Sequence, residues 1–396
     1  MSAVPNLSTT SSTLIVLVGL PARGKTFIAS RLTRYLNWIG LETKIFNVGD
    51  YRRNQLRQSK LDDQDASFFD PDNQAGAAYR HRFMELAMED LQRWLVIQPG
   101  RIAVLDATNT TRERRSFVLN KCASEKRVKI NVFFIESICD DESVIEKTVA
   151  DVKVNGPDYK NCSDKDKAMA DFLERIEMYK KAYEPLCERK DDELSFIKVI
   201  NVGQKFMVNR IIDHVQSKIV YYLMNAKVGK RDIYLSRHGE SEFNVLGRIG
   251  GDAGLSPRGM EYAKALAQHL NENLLSKNEN KNVKIFVSEL QRTQQTASLI
   301  NHQVEAWKAL NEINAGLCEG MTYKEIQETF PDEFARRDEN KYHYRYPMGE
   351  SYFDLVQRLE PVIIGIDLAK KTELLFGKII FLFKYYLWSW NVVTRW

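Results

Sequence analysis

The chain has 396 residues, 44% hydrophobic and 28% charged, which is enough for two or three globular domains and too apolar for a disordered protein. Lysine and arginine number 57 against 53 aspartate and glutamate, a net +4 that lacks the basic excess or tail of a nucleic-acid binder. Five cysteines (Cys122, Cys139, Cys162, Cys187, Cys318) with no C-x-x-C pair argue against a disulfide framework or zinc ribbon. They favour a reducing compartment, and the polar start MSAVPNLSTTSS lacks the features of a signal peptide, so a cytoplasmic location is expected.

Leu14 to Val18 is an unbroken apolar run and predicts a buried parallel strand. It runs into Gly19-Leu20-Pro21-Ala22-Arg23-Gly24-Lys25-Thr26, which fits G-x-x-x-x-G-K-[ST], followed by the helical FIASRLTRYLNWIG. The glycines let backbone N–H groups curl around phosphate oxygens at a helix N-terminus. Lys25 is placed to reach the β- and γ-phosphates and Thr26 to ligate Mg²⁺.

TKIFNVG predicts a second strand, with Tyr51-Arg52-Arg53 on the loop after it. MELAMEDLQRWLV predicts a helix, RIAVLDA a third strand and KINVFFIESI a fourth. Asp106 ends the third strand, beside the glycine loop, where a magnesium-side carboxylate belongs. Thr108-Asn109-Thr110-Thr111-Arg112-Glu113-Arg114-Arg115 follows as a loop of hydroxyls and arginines at the same edge. Two arginine clusters, each just past a strand of one sheet, point to a second phosphorylated ligand facing the nucleotide, as in a kinase acting on a small phosphorylated acceptor. The alternation of strands and helices predicts a parallel sheet covered on both faces, to about Tyr222.

The polar NAKVGKRD, around 225–232, marks a domain boundary. A second series starts with the strand IYLS and Arg237-His238-Gly239-Glu240, then the helical RGMEYAKALAQHLNENLL, the strand KIFVS and a further helix. A histidine at a strand end beside an arginine and a glycine suits a nucleophile that takes up a phosphoryl group, its charge neutralised by arginines. Asn244, the loop 247–251 and Arg292 in SELQRTQQT complete a likeness to the histidine phosphatases, with Glu312 in LNEINAG as candidate proton donor. His81, His214, His269, His302 and His343 read as surface or packing residues, with no metal-ligand spacing. Leu374 to Val393 is long enough to span a membrane, but Lys378 and Lys384 offset the apolar gain, which argues against a span.

Through GLPARGKT, LTRYLNWIG, FNVGDYRR, DATNTTRERR, FFIESIC, RHGESEFN, GRIGGD, WKALNEI and YRYPMGESY, residues 14 to 363 closely resemble the bifunctional 6-phosphofructo-2-kinase/fructose-2,6-bisphosphatase family. The resemblance implies an α/β chain. A P-loop, adenylate-kinase-like domain (14–228) follows a short polar segment (1–13). A phosphoglycerate-mutase-like histidine-phosphatase domain (229–363), incomplete at its C-terminus, precedes a divergent apolar tail (364–396). It also implies synthesis of fructose 2,6-bisphosphate from ATP and fructose 6-phosphate, with Mg²⁺, and removal of the 2-phosphate through a phosphohistidine on His238.

ATP would be held by Gly19, Leu20, Pro21, Ala22, Arg23, Gly24, Lys25, Thr26, Phe27, Thr148 and Lys153. The sugar phosphate would be held by Arg52, Arg80, Thr108, Arg114, Lys153, Arg175 and Tyr179. Asp106 and Cys139 match kinase active-site positions, although Cys139 by itself reads as a buried structural thiol. Around His238 and Glu312 would stand Arg237, Asn244, Gly250, Arg292, Tyr323, Arg337, Lys341 and Tyr352. The family also implies a homodimer.

The family continues after LVQRLEPVI with a helix, a strand and a C-H-Q-A-V segment whose histidine stabilises the transferring phosphoryl. No histidine follows His343 here, Asn314 stands in place of the family's Asp, and Gly320 in place of its Glu. The expectation is an intact kinase half, and a phosphatase half without that histidine and without a central strand of its sheet. A non-catalytic docking role for that half is the alternative.

Overall fold

Ser11–Val18 forms the first strand, β1, because its residues alternate between two apolar faces while exposing almost nothing. Ile15 and Leu17 pack with Leu32, Tyr35, Leu36 and Ile219 on one face; Leu14, Val16 and Val18 pack with Met84, Met88, Leu91 and Leu95 on the other. Each such fully buried side chain stabilises the unit by roughly 1.5–3 kcal/mol. The computed structural model describes residues 11–59, 66–160, 162–225, 233–275, 283–368 and 372–376. These fall in two compact units, Met1–Lys227 and Val228–Trp396.

In the first unit β2 (Thr43–Asn47), β3 (Ile102–Asp106), β4 (Lys129–Ile138), β5 (Phe196–Ile200) and β6 (Lys205–Asn209) join β1 in the order β2-β3-β1-β4-β5-β6. All pairings are parallel except β5 with β6. The sequence reading did not foresee β5 or the antiparallel β6. Helices Lys25–Trp38, Gln74–Ile97 and Arg112–Ala123 cover the sheet, while Lys165–Lys181 packs through Phe172 and Ile176 on Cys139 and Val149; the last three are capped by Asn73, Thr111 and Asp164 side chains. The arginine-bearing segments are helical where loops were expected. Tyr51, Arg52 and Arg53 lie in helix Val48–Ser59, whose start is fixed by Asn47 Oδ1 accepting from Gly49 N at 2.8 Å. The helix after β3 takes in Arg112, Arg114 and Arg115.

In the second unit β7 (Ile233–Ser236), β8 (Val283–Val287), β9 (Val304–Ala306) and β10 (Thr372–Phe376) form a parallel sheet in the order β7-β10-β8-β9. The expected loss of a central strand is therefore wrong. Helix Tyr352–Leu368 runs past Ile363, and TELLF then pairs with both neighbours, Leu374 opposite Tyr234 and Ile285. The expected single helix after Pro257 ends at Leu270 and continues as a π turn, Asn271–Leu275. The segments 1–10, 226–232 and 377–396 lie outside the described residues, as does most of the span read as near-membrane length. Among the described residues no helix is long and apolar enough to cross a membrane.

Candidate functional site

The glycine loop leaves the carboxyl end of β1 and turns back on itself. Gly19 has φ 132°, and a Cβ there would sit 2.5 Å from the Ser137 carbonyl, so only glycine fits. Gly24, at φ 77°, is the N-cap of the helix that starts at Lys25. Lys25 Nζ donates to the Leu20 carbonyl at 2.5 Å, and burial lowers its pKa to about 7 despite the nearby Asp106 carboxylate. Asp106, buried at the end of β3, accepts from Asn47 Nδ2 at 2.7 Å and from the Thr26 side chain, while burial raises its pKa. Lys153 is also within electrostatic reach of Asp106, and burial lowers its pKa. It sits at the end of a π turn, Val149–Lys153, a bulge that aims it at the sheet edge.

A second cluster surrounds Tyr179, whose phenol lies within electrostatic reach of Arg52, Arg80, Arg114 and Arg175. Arg52 and Arg175 are not free. Asp158 accepts from Arg52 at 2.5 Å, from Arg175 at 2.9 Å and from Arg53 at 2.8 Å. Burial opposes its ionisation, yet Arg52 and Arg175 hold its carboxyl far below the usual range. The Arg175 guanidinium also stacks 3.7 Å from the Phe69 ring centre. Arg80 and Arg114 make no ion pair among the described residues; Arg80 donates to the carbonyls of Phe68 and Asp70, and Arg114 to that of Arg80. Asp158 escaped the sequence reading because it lies in a turn more than a hundred residues from Arg52.

Other predicted kinase residues have local duties. Thr108 O accepts from Gly19 N at 2.9 Å, tying the acceptor loop to the nucleotide loop. Arg23 donates to the Pro21 carbonyl at 3.0 Å, and Thr148 Oγ1 bonds back to Val144 O at 2.7 Å. Phe27 is half-exposed beside Arg31. Cys139 is buried in an apolar cluster with Ala22, Ile145 and Phe172, beside the glycine loop.

In the second unit His238 follows β7 and is 4% exposed. Its Nδ1 donates to the Gly239 carbonyl at 2.6 Å, which leaves the lone pair on Nε2; that atom is buried with no partner among the described residues. Burial lowers its pKa to about 4, helped by Arg292 and Arg237, so the ring is neutral at pH 7. Arg292 is buried, pairs with Glu312 at 2.8 Å and donates to Gly251 O at 2.8 Å. The segment carrying Glu312 is held by Arg358, which donates to Ala309 O at 2.7 Å and Glu312 O at 3.2 Å while paired with Glu350. Arg358 was not singled out in the sequence.

Arg337 donates to Tyr346 Oη at 2.9 Å and Tyr323 Oη at 3.2 Å, with its guanidinium over the Tyr323 ring. Tyr352 is within electrostatic reach of Tyr323, Arg337 and Glu312, and burial raises its pKa. Gly250, at φ 63°, packs on the Glu319 carboxylate. Asn244 spends its carboxamide oxygen on the Ser241 N–H in a capping box. Lys341 is exposed and pairs only loosely, at 3.7 Å, with Asp338.

Comparison with known proteins follows this division. The 6-phosphofructo-2-kinase family profile matches residues 2–230, and that of the histidine phosphatase superfamily (branch 1) matches residues 233–376, β10 included. The chain is 52% identical over 366 residues to 6-phosphofructo-2-kinase/fructose-2,6-bisphosphatase of Aquarana catesbeiana, covering 92% of this chain and 75% of that one. It is 52% identical to the human form 1, over 92% of this chain and 74% of that one. It is 53% identical to form 4 of Macaca fascicularis, over 91% and 74%.

Proposed function

The chain belongs to the 6-phosphofructo-2-kinase/fructose-2,6-bisphosphatase family and carries both domains, and from that premise we propose that its first unit transfers the γ-phosphoryl of ATP to O2 of fructose 6-phosphate. The observation that carries this reading is the placement of Lys25, Thr26 and Asp106 at one end of the sheet, with Arg175 of the arginine cluster around Tyr179 within electrostatic reach of Lys25.

Residues 19–27 would wrap the phosphates, with Thr148 and Lys153 at the nucleotide's flank. Mg²⁺ fits the donor set, since the Thr26 hydroxyl and the Asp106 carboxylate already touch. Among the described residues no group of three or more His, Cys, Asp or Glu could cage a metal alone, so the ion would arrive with the nucleotide. When bound it supplies charge neutralisation at the phosphoryl oxygens. Lys25, drawn to about pKa 7 in its buried setting, regains full charge beside the phosphates. Arg80 and Arg114, which make no ion pair among the described residues, would take the sugar 6-phosphate, with Thr108, Arg52, Arg175 and Tyr179 orienting the ring. A homodimer and a cytoplasmic location accord with the family.

The second unit would take the 2-phosphate of fructose 2,6-bisphosphate onto His238 Nε2. Glu312 would protonate the departing sugar oxygen, and Arg237 and Arg292 would hold the phosphoryl. Asn244, Gly250, Tyr323, Arg337, Lys341 and Tyr352 would surround the sugar. One observation favours a narrower reading for this half: directly after the strand TELLF, where the resembling family carries C-H, this chain reads Gly377-Lys378, so phosphoenzyme formation would outrun its hydrolysis.

The test of the kinase reading is bisphosphate formation from ATP and fructose 6-phosphate by the full chain. Lys25→Met should abolish ADP formation that depends on fructose 6-phosphate. Survival of that activity overturns the assignment.

A further inference from the structure

β1 and β3 pair in parallel as far as Val16 and Leu105, the last rung of their ladder. The nucleotide loop leaves one strand and the acceptor loop the other. Two hydrogen bonds continue the ladder beyond that rung. Gly19 N donates to Thr108 O at 2.9 Å, and Asn109 Nδ2 donates to Leu17 O at 2.8 Å. The second is a side chain standing in for a backbone amide.

Asn109 is 2% exposed and has φ 44°, in the left-handed region that asparagine, aspartate and glycine tolerate. Its own carbonyl accepts from Arg115 Nη1 at 3.2 Å, and that nitrogen also reaches Thr110 O and Glu184 O. Its Oδ1 is buried without a partner among the described residues. A buried polar atom left unpaired is uncommon, and a position that needed only a left-handed turn would be filled by glycine without it. What asparagine adds is the donor.

We infer that Asn109 is a positioning residue for phosphoryl transfer: its side-chain amide fixes the acceptor loop against the nucleotide loop, so that the γ-phosphoryl meets the sugar hydroxyl rather than water. The inference rests on the kinase reading above. In the coupled reaction the bond from the γ-phosphorus to the β–γ bridging oxygen breaks, a bond to the sugar O2 forms, and the hydroxyl proton is released. In the uncoupled one, water replaces the sugar oxygen.

Two variants of the full chain separate backbone from side chain. Asn109→Gly keeps the left-handed conformation and loses the donor; Asn109→Asp keeps shape and conformation but sets a carboxylate against the Leu17 carbonyl. The assay reads ADP and sugar bisphosphate separately, below the melting temperature of each protein. With reacting atoms displaced by about 1 Å, kcat for the bisphosphate should fall on the order of thirtyfold or more in both variants, with either KM within about threefold. ADP formed per bisphosphate should rise from one to several.

An Asn109→Gly enzyme with unchanged kcat overturns the inference, as does a rise in KM alone. Variants that merely melt earlier, with the ratio still at one, overturn it too. Failure of the unaltered chain to make bisphosphate is a different result, visible before any variant is made. It removes the kinase reading and this inference with it.

Discussion

The two units handle phosphate with opposite arrangements of charge. In the kinase unit cations are gathered in number, and three of them share one carboxylate: Asp158 holds Arg52, Arg53 and Arg175, while Lys25 is folded onto the Leu20 carbonyl. In the phosphatase unit the central group is a single ring nitrogen, His238 Nε2, buried and without a partner among the described residues, while the other ring nitrogen is tied to the Gly239 carbonyl. Direct phosphoryl transfer between two anions is a matter of positioning and charge, so its residues come from the ends of three strands and several helices. Transfer through a covalent intermediate needs one activated atom and an acid, with a group to finish the hydrolysis.

Substitutions can break this contrast on either side. The largest effect should come from Asp106→Asn, which removes the carboxylate shared by Thr26 and Asn47. The forward kinase rate should drop on the order of 10³-fold, with labelling of His238 unchanged, because the carboxylate serves only the first unit. Next, Glu312→Gln should slow phosphoenzyme formation about a hundredfold and leave the kinase untouched. An unchanged labelling rate would remove Glu312 from the proton-donor role.

Asp158→Asn sharpens the comparison further. Without the carboxylate, Arg52 and Arg175 lose the group that aligns them. KM for fructose 6-phosphate should rise about tenfold, and thermal stability should fall by roughly 1–3 kcal/mol. A lower KM would mean instead that Asp158 competes with the sugar phosphate for those arginines.

An effect that leaves activity at pH 7 aside is on stability against acid. His238 titrates near 4 in the fold and near 6.5 unfolded. Between those values the unfolded chain binds the extra proton, so stability is present above about pH 6.5 and is lost as pH falls toward 4. The loss is on the order of 3 kcal/mol. His238→Gln should remove that part of the acid sensitivity in a thermal melt followed from pH 7 to 4.

The parts of this design that were legible in the sequence are those encoded locally. An apolar run ending in GLPARGKT reads as a strand feeding a phosphate loop, and IYLSRHGE reads as a strand with its histidine just past the end. The rest is set by distance in the chain. Asp158 joins the arginine cluster only because the fold brings its turn to Arg52. The arginines after β2 and β3 carry no sign of being helical until Asn47 and Thr111 cap them. TELLF, five residues in a lysine-flanked tail, has too few positions for periodicity to decide between strand and helix. Its place between β7 and β8 is decided by parallel pairing with strands roughly 90 and 140 residues earlier.

That strand changes the question about the second unit from folding to chemistry. β10 fills the centre of the sheet, His238 follows the strand beside it, and the sequence after Phe376 reads Gly377-Lys378. The direct test is to mix the full chain with fructose 2,6-bisphosphate labelled at the 2-phosphate and follow acid-labile label on the protein alongside released phosphate. The account predicts label on His238 approaching one per chain, with phosphate released far more slowly than the label appears. Rapid release with no accumulated label, or no label in a chain that still makes the bisphosphate, would contradict it.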